Sequence, residues 1–243
     1  MSRTMESATA VPNLRRVPSE RQCRLFRSAA PSGLEPAGLR ELDALGVQRV
    51  VDLREPFELA ERRGYVPPGA VHVSIPLYRG ALPVATAIED VYRDLLNTRG
   101  TEITRAVGAI AAGLPGGVLV HCAAGKDRTG LVVALVLEVA GVPRQLLLDD
   151  YARSARALPA SYRERVSQEL ARALGDGTEL QAALHLHLDS PSAALDQALD
   201  MVEARFGSAA CYLLAHGLDP ADLTTIREEL AGPGAAEEAG PDV

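Results

Sequence analysis

Apolar residues fall into two rhythms along this chain, short runs over the first 140 residues and helix-spaced stripes over most of the rest. Residues 24–27 read as a short strand. Leu34, Leu39, Leu42 and Leu45 then recur at helical spacing, with Gly46 where a C-cap glycine would sit. Residues 47–53, 70–75 and 118–121 read as further strands. An apolar helix follows over 131–139 and is stopped by Gly141-Val142-Pro143. Beyond it the segments 144–158, 161–174, 193–206, 209–216 and 219–230 are helical, and Pro220 directly after Asp219 marks a capped start. Strands separated by helices predict a layered α/β fold, with a mainly parallel central sheet and a helical C-terminal half.

One domain is expected, over residues 21–231. Residues 1–20 are polar, carry Pro12 and Pro18 and show no period, which predicts a mobile arm; residues 232–243 read as a disordered tail. Residues 78–101 hold Gly80, Pro83 and a helical stretch over 88–96. Lid over a site and ordinary surface helix are both open for that segment.

Composition narrows the function classes. The formal net charge is -7, from 32 acidic and 25 basic residues, and Trp is absent, so neither bulk nucleic-acid binding nor a base-stacking platform is expected. The stretch 131–142 is too short for a membrane span and carries Glu138. The N-terminus lacks a continuous apolar signal core, so the expected location is the cytoplasm, with non-classical secretion left open. Cys23, Cys122 and Cys211 have no metal-type spacing and suggest neither a disulfide framework nor a zinc ribbon.

The densest chemistry lies between the strand ending at His121 and the apolar helix: His121-Cys122-Ala123-Ala124-Gly125-Lys126-Asp127-Arg128-Thr129-Gly130. It contains Lys126, the only lysine of the chain. A small-residue loop between strand and helix aims backbone N–H groups and a positive helix end at one point. Five residues separate Cys122 from Arg128. A phosphate monoester repels nucleophiles, so its attacker must be anionic yet sit in a positive cradle. A helix N-terminus and a neighbouring guanidinium favour thiolate over thiol, and a guanidinium offers a planar fork to two phosphoryl oxygens. Ala123, Ala124 and Gly125 let the backbone close round the remaining oxygens, Thr129 can donate to the cysteine sulfur, and Gly130 allows tight packing.

This loop resembles the signature of cysteine-based protein tyrosine phosphatases, and its His-Cys-x-x-Gly-Lys-Asp-Arg-Thr-Gly form is similar to the bacterial atypical branch, which includes a secreted mycobacterial enzyme of mixed tyrosine, serine/threonine and phosphoinositide activity. Leu25-Phe26-Arg27-Ser28, Leu45-Gly46-Val47, Val50 to Arg54, Asp150-Tyr151, Phe206-Gly207-Ser208 and Tyr212-Leu213 extend the likeness over about residues 20–231. The resemblance implies a tyrosine-phosphatase-like α/β fold, no metal, no cofactor, and hydrolysis through a phosphocysteine. It makes Cys122 the nucleophile and Arg128 the phosphate clamp. Ala123, Ala124, Gly125 and Lys126 complete the phosphate loop, with His121 and Thr129 tuning the thiolate. Phosphorylated protein or phosphoinositide would be the substrate.

The acid that protonates the leaving group is open. The family's Trp-Pro-Asp loop is missing, since there is no Trp. Asp127 is the first choice; Asp52 is the second, set against a structural pairing with Arg27, Arg54 or Arg128; Asp90 and Asp94 are outsiders. Lys126 is either a cation stabilising the loop or a second positive charge at the mouth. His185 and His187 read as satisfied or exposed rather than a metal pair, and Arg62-Arg63 as a solvated turn. Cys23 and Cys211 read as small packing groups, with a protective disulfide to Cys122 left open. A phosphatase that only binds, without turnover, and a sulfur carrier using the loop cysteine are the alternative functions; the Lys126–Thr129 run disfavours the second.

Overall fold

The computed structural model describes residues 10–231. Its strands are β1 (Arg15–Arg16), β2 (Leu25–Ser28), β3 (Arg49–Asp52), β4 (Val71–Ser74) and β5 (Val118–His121). They form one sheet in the order β1-β2-β5-β3-β4. All neighbours are parallel except β1 against β2. The helices are α1 (Pro36–Ala44), α2 (Pro56–Glu61), α3 (Ile88–Thr98), α4 (Gly100–Ala111), α5 (Asp127–Val139), α6 (Arg144–Arg156), α7 (Ala160–Leu174), α8 (Thr178–Leu188), α9 (Ser192–Phe206), α10 (Ala209–Ala215) and α11 (Pro220–Leu230). The expected mainly parallel α/β architecture is the one observed.

β5 is the central strand, and all four of its residues are buried. Its alternation divides the core between the two faces of the sheet. Val118, Val120, Val51 and Leu25 join the large cluster with α3, α4, α5 and α9; Leu119, Val50 and Phe26 join a smaller one with Leu42, Val47, Val11 and Leu14. Helix α5 is apolar nearly all round, and its residues 128–137 are buried. Such a helix belongs in the interior, and this one anchors the end of β5 from behind.

One expectation changes, one open choice closes, and two helices go beyond the pattern reading. The arm does not run to residue 20: Val11, Asn13, Leu14 and Val17 are buried, and β1 pairs with β2 through Arg15↔Arg27 and Arg16↔Phe26. Residues 1–9 and the tail at 232–243 lie outside the described residues. Helix α3 is no lid, because Ile88, Val91, Tyr92, Leu95 and Leu96 form one buried face against the core, and Tyr92 donates its hydroxyl hydrogen to Tyr151 at 2.8 Å. Helices α2 and α4, absent from the pattern reading, complete the layers around β3. His185 and His187 lie within α8.

Candidate active site

β5 ends at His121, and Cys122 begins a loop that turns into α5 at Asp127. Gly125 has φ +65°, and a Cβ there would stand 2.0 Å from the Ser28 carbonyl oxygen, so this position accepts glycine alone. The loop's carbonyls are held from outside. Ala30 N–H donates to Ala123 O at 2.9 Å, and Asn13 Nδ2 donates to Ala124 O at 2.9 Å and Gly125 O at 3.0 Å. Arg27 Nη2 donates to Gly125 O at 2.8 Å and, more weakly, to Lys126 O at 3.4 Å. The amides of Ala123 through Lys126 donate to no described residue. A loop whose acceptors face out and whose donors are free is an anion nest, and the positive end of α5 reinforces it.

A buried ion cluster fixes the donors that fix the loop. Arg27 Nη1 meets Asp150 Oδ2 at 2.7 Å, and Arg15 Nε meets Asp150 Oδ1 at 2.6 Å. Burial opposes ionisation of Asp150, but Arg27 and Arg15 outweigh it and hold the carboxyl below the usual range. Burial, with Arg27 alongside, brings Arg15 down to about 10 against the pull of Asp150. Arg15 also donates to Asn13 O and to the Ser154 hydroxyl, so β1, β2 and α6 are locked together beneath the loop.

Arg128 is 5% exposed and lies under a cleft of about 610 Å³ lined also by Cys122, Ala123, Ala124 and Asp127. Its Nη1 donates to Glu58 Oε2 at 2.6 Å and to Leu53 O at 3.2 Å, and its Nη2 donates to Glu58 Oε1 at 2.8 Å. A guanidinium has five N–H groups. Subtracting these three bonds leaves Nε–H and the second Nη2–H, which lie side by side and form a fork for two oxygens. The Tyr78 ring covers the guanidinium at 4.7 Å from its centroid. Burial would lower the pKa of Arg128, but the bond to Glu58 and nearby Cys122 raise it.

His121 and Thr129 stand differently from their expectation, while Lys126 and Asp52 each take one of the two readings held open for them. Lys126 is 1% exposed, and its Nζ bonds Asp127 Oδ1 and the Leu186 carbonyl at 2.9 Å, so no free ammonium sits at the mouth. His121 is buried, which drives its pKa down to about 4 against the pull of Asp52; the neutral ring faces Cys122 O at 3.2 Å and brings no positive charge to the sulfur. Thr129 Oγ1 is buried without a partner among the described residues, and no bond joins it to the Cys122 sulfur. Asp52 is engaged by Arg54, through Nε at 3.0 Å and Nη2 at 2.7 Å. Although burial opposes it, that pair holds the Asp52 carboxyl below its ordinary value. Asp52 is therefore a structural carboxylate. Asp127, 19% exposed, is the loop's own carboxylate on the cleft wall, with Lys126 Nζ on its Oδ1.

The outer wall comes from α7 and α8, through Tyr162, Arg165, Val166 and His187. His185 faces solvent and pairs with Asp189 at 2.9 Å. Cys23 precedes β2 and Cys122 follows β5, and these strands run parallel with Leu25 opposite Val118. The length of the sheet, about 13 Å at ~3.3 Å per residue, separates them, too far for a disulfide. Among the described residues no group of three or more His, Cys, Asp or Glu side chains could hold a metal ion, and no helix is long and apolar enough to cross a membrane.

Asn13, Arg15, Glu58, Tyr78 and Asp150 escaped the sequence reading as site residues. Only Glu58 carried a local signal, since Pro56 and Glu58 after Glu55 are what a helix start requires.

The family model described as "Tyrosine phosphatase family" matches residues 15–232. The chain is 32% identical to the triple specificity protein phosphatase PtpB of Mycobacterium tuberculosis, over 86% of this chain and 91% of that one. A tyrosine-protein phosphatase of Nostoc commune is 53% identical over 49 residues, 20% of this chain and 17% of the relative. Among solved structures, P. aeruginosa TpbA aligns with a TM-score of 0.40 at 22% identity, covering 76% of this chain and 99% of that one. With a family match that spans nearly all the described residues and a relative 32% identical over 86% of its length, the chain belongs to the tyrosine phosphatase family.

Proposed function

We propose that this enzyme hydrolyses phosphotyrosine in proteins through a phosphocysteine formed on Cys122. The single observation that carries the reading is the run of amides after Cys122 that donate to no described residue, paired with the uncommitted Nε–H and Nη2–H fork of Arg128. In the first step the Cys122 sulfur attacks phosphorus. The ester P–O bond breaks, its electron pair stays on the leaving oxygen, and Asp127 supplies the proton. In the second step water attacks phosphorus, the S–P bond breaks with its pair returning to sulfur, and Asp127 takes a proton from the water. The amides of Ala123 to Lys126 and the Arg128 fork bind the equatorial oxygens in both steps, which is where charge develops. The buried, unpartnered Thr129 hydroxyl is available to the sulfur as it leaves.

The cleft favours an aryl ester as first substrate. Phe57, Tyr78, Leu82, Pro83 and Val166 supply apolar wall above the loop. Phosphoserine and phosphothreonine are secondary because they bring no ring to those walls, and phosphoinositides because Lys126 offers no charge to a second phosphate. A reducing compartment such as the cytoplasm suits the free cysteines. Turnover of phosphotyrosine peptides, phosphoserine peptides and phosphoinositides in parallel tests this, with Cys122→Ser as control. Highest kcat/KM on phosphotyrosine is expected; phosphate release by Cys122→Ser at the parent rate would refute the mechanism.

A further inference from the structure

We propose that Tyr151 is the positioning residue for the proton carrier of this site: its hydroxyl holds one oxygen of Asp127 and leaves the other for the leaving group. The inference rests on the reading of Asp127 as the acid, and deepens it by assigning the proton to one atom. Asp127 Oδ1 accepts Lys126 Nζ at 2.5 Å and the Tyr151 hydroxyl at 3.4 Å. Its Oδ2 takes no bond from a described residue, and the side chain lines the cleft. With two donors already facing Oδ1, the acidic hydrogen belongs on Oδ2. In the first step that O–H bond breaks, the hydrogen goes to the leaving oxygen and the pair stays on the carboxylate. In the second step Oδ2 takes a hydrogen from the attacking water.

The Tyr151 bond has one direction. A carboxylate oxygen without its hydrogen only accepts, so the Tyr151 hydroxyl hydrogen points at Oδ1, and the Tyr151 oxygen accepts the Tyr92 hydroxyl at 2.8 Å. Both tyrosines are buried, and their rings meet edge to face at 6.4 Å between centroids. Burial, with Asp127 alongside, pushes the Tyr151 pKa well above its ordinary value, so the hydroxyl keeps its hydrogen and stays a donor.

The approach is built into the fold. Tyr151 lies in α6 and reaches Asp127 across the first turn of α5, where a Cβ on Gly130 would stand 2.7 Å from the Tyr151 ring. Glycine at 130 is what admits the ring. The preceding residue of α6, Asp150, holds Arg27, which donates to the Gly125 carbonyl. Two successive residues of α6 therefore serve the loop separately, Asp150 its backbone and Tyr151 its carboxylate.

A tyrosine that merely fills the core would pack in the same way, so the test reads the leaving group. Tyr151→Phe keeps the ring and removes the hydroxyl, which breaks the bonds to Asp127 and to Tyr92. Tyr92→Phe breaks only the bond between the tyrosines and is the control. The values of kcat and KM are measured for an alkyl phosphate and for p-nitrophenyl phosphate, whose leaving group needs little protonation. Positioning predicts that Tyr151→Phe lowers kcat on the alkyl ester about tenfold, the worth of a hydrogen bond to a charged group. It also predicts less than about twofold loss on the aryl ester and unchanged KM for both. Tyr92→Phe should keep the parent ratio of the two kcat values.

Equal losses of Tyr151→Phe on the two esters, or the same change in Tyr92→Phe, overturn the proposal. Asp127→Asn runs alongside to separate the two claims. If it discriminates between the esters and Tyr151→Phe does not, only the role of Tyr151 falls. If it slows both esters equally, the acid reading falls and takes this inference with it. Thermal melting monitors the fold, since Tyr151→Phe leaves the Tyr92 hydroxyl without its acceptor. Should that variant melt below the assay temperature, the double variant Tyr92→Phe/Tyr151→Phe leaves no orphaned hydroxyl and carries the test. A loss selective for the alkyl ester then supports the proposal, and an unselective one overturns it.

Discussion

Replacing Asp150 by Ala removes the one carboxylate shared by two buried guanidiniums. Arg15 and Arg27 sit at 2.6 and 2.7 Å from it, and Arg27 is 1% exposed. Breaking a buried pair in this way costs ~3–5 kcal/mol, because the surviving charge has no water to turn to. In a fold whose total stability is about 5–15 kcal/mol, that is a large fraction. At about 2–4 °C per kcal/mol for a chain of this size, Tm falls by roughly 6–20 °C. Acid unfolding gives a second signature. Asp150 is held below its ordinary pKa, so its contribution is present above the unfolded carboxylate value of about 3.9 and is lost as pH falls through the lower folded one. The variant therefore loses part of its stability at neutral pH, and its stability varies less with pH below about 4. Urea unfolding at pH 7 and pH 3 measures both. Activity adds a third readout, since Arg27 donates to Gly125 O and loosens with its partner gone. A loss under 1 kcal/mol at pH 7, or an unchanged acid slope, would refute the claim that this cluster holds the loop.

Gly125→Ala must displace either the loop or the Ser28 carbonyl, since the added carbon meets that oxygen at 2.0 Å. Turnover should fall at least ~10²-fold, the worth of one misplaced oxyanion donor, and near-parent kcat would count against an amide cradle. Asp127→Asn should slow alkyl phosphates far more than an aryl phosphate with a good leaving group, read as kcat for each ester; equal losses would remove Asp127 as the acid. His121 is neutral in the fold, its pKa brought to about 4 by burial against 6.5 unfolded. Its contribution is therefore full above about 6.5 and is lost as pH falls toward 4, on the order of 3 kcal/mol. His121→Asn should flatten the stability profile over that window in thermal melts, and an unaltered profile would contradict the neutral assignment.

The legible part of this protein is the part whose partners are close in sequence. Val118 to Val120 form an apolar run, the next residues are small, and 131–139 is an apolar stripe, so strand, loop and helix follow from local composition. Within that unit Cys122, Gly125 and Arg128 could be read directly. What escaped depends on distant partners. β1 is two arginines, which no pattern marks as a strand; its place is fixed by Arg15 reaching Asp150, 135 residues away. Lys126 stays open between stabilising the loop and serving the mouth, because the partner that decides is distant: its ammonium is taken by Asp127 and by a carbonyl of α8, 60 residues on. The 78–101 segment is ambiguous because its apolar stripe fits a lid as well as an ordinary surface helix, and only the packing of α3 on α9 decides between them.

The charges around the cleft explain why the cradle is made of backbone. Arg54, Arg62, Arg128 and Arg165 line it, but so do Glu58, Glu61, Asp127 and Glu169. Arg54 is committed to Asp52, Arg128 to Glu58, and Arg165 to Glu169 at 3.1 Å. With the formal charge of the chain at -7, long-range attraction for a dianion is small. On the proposed reading selectivity has to arise at contact, from the unbonded amides of the loop and from the two N–H groups that Arg128 has left. Such donors reward a phosphoryl group seated to the full depth of the loop and give little to a charge held at the rim. On the proposed reading a long, flat aryl ester meets that requirement, with the apolar walls at Phe57 and Tyr78 to receive its ring.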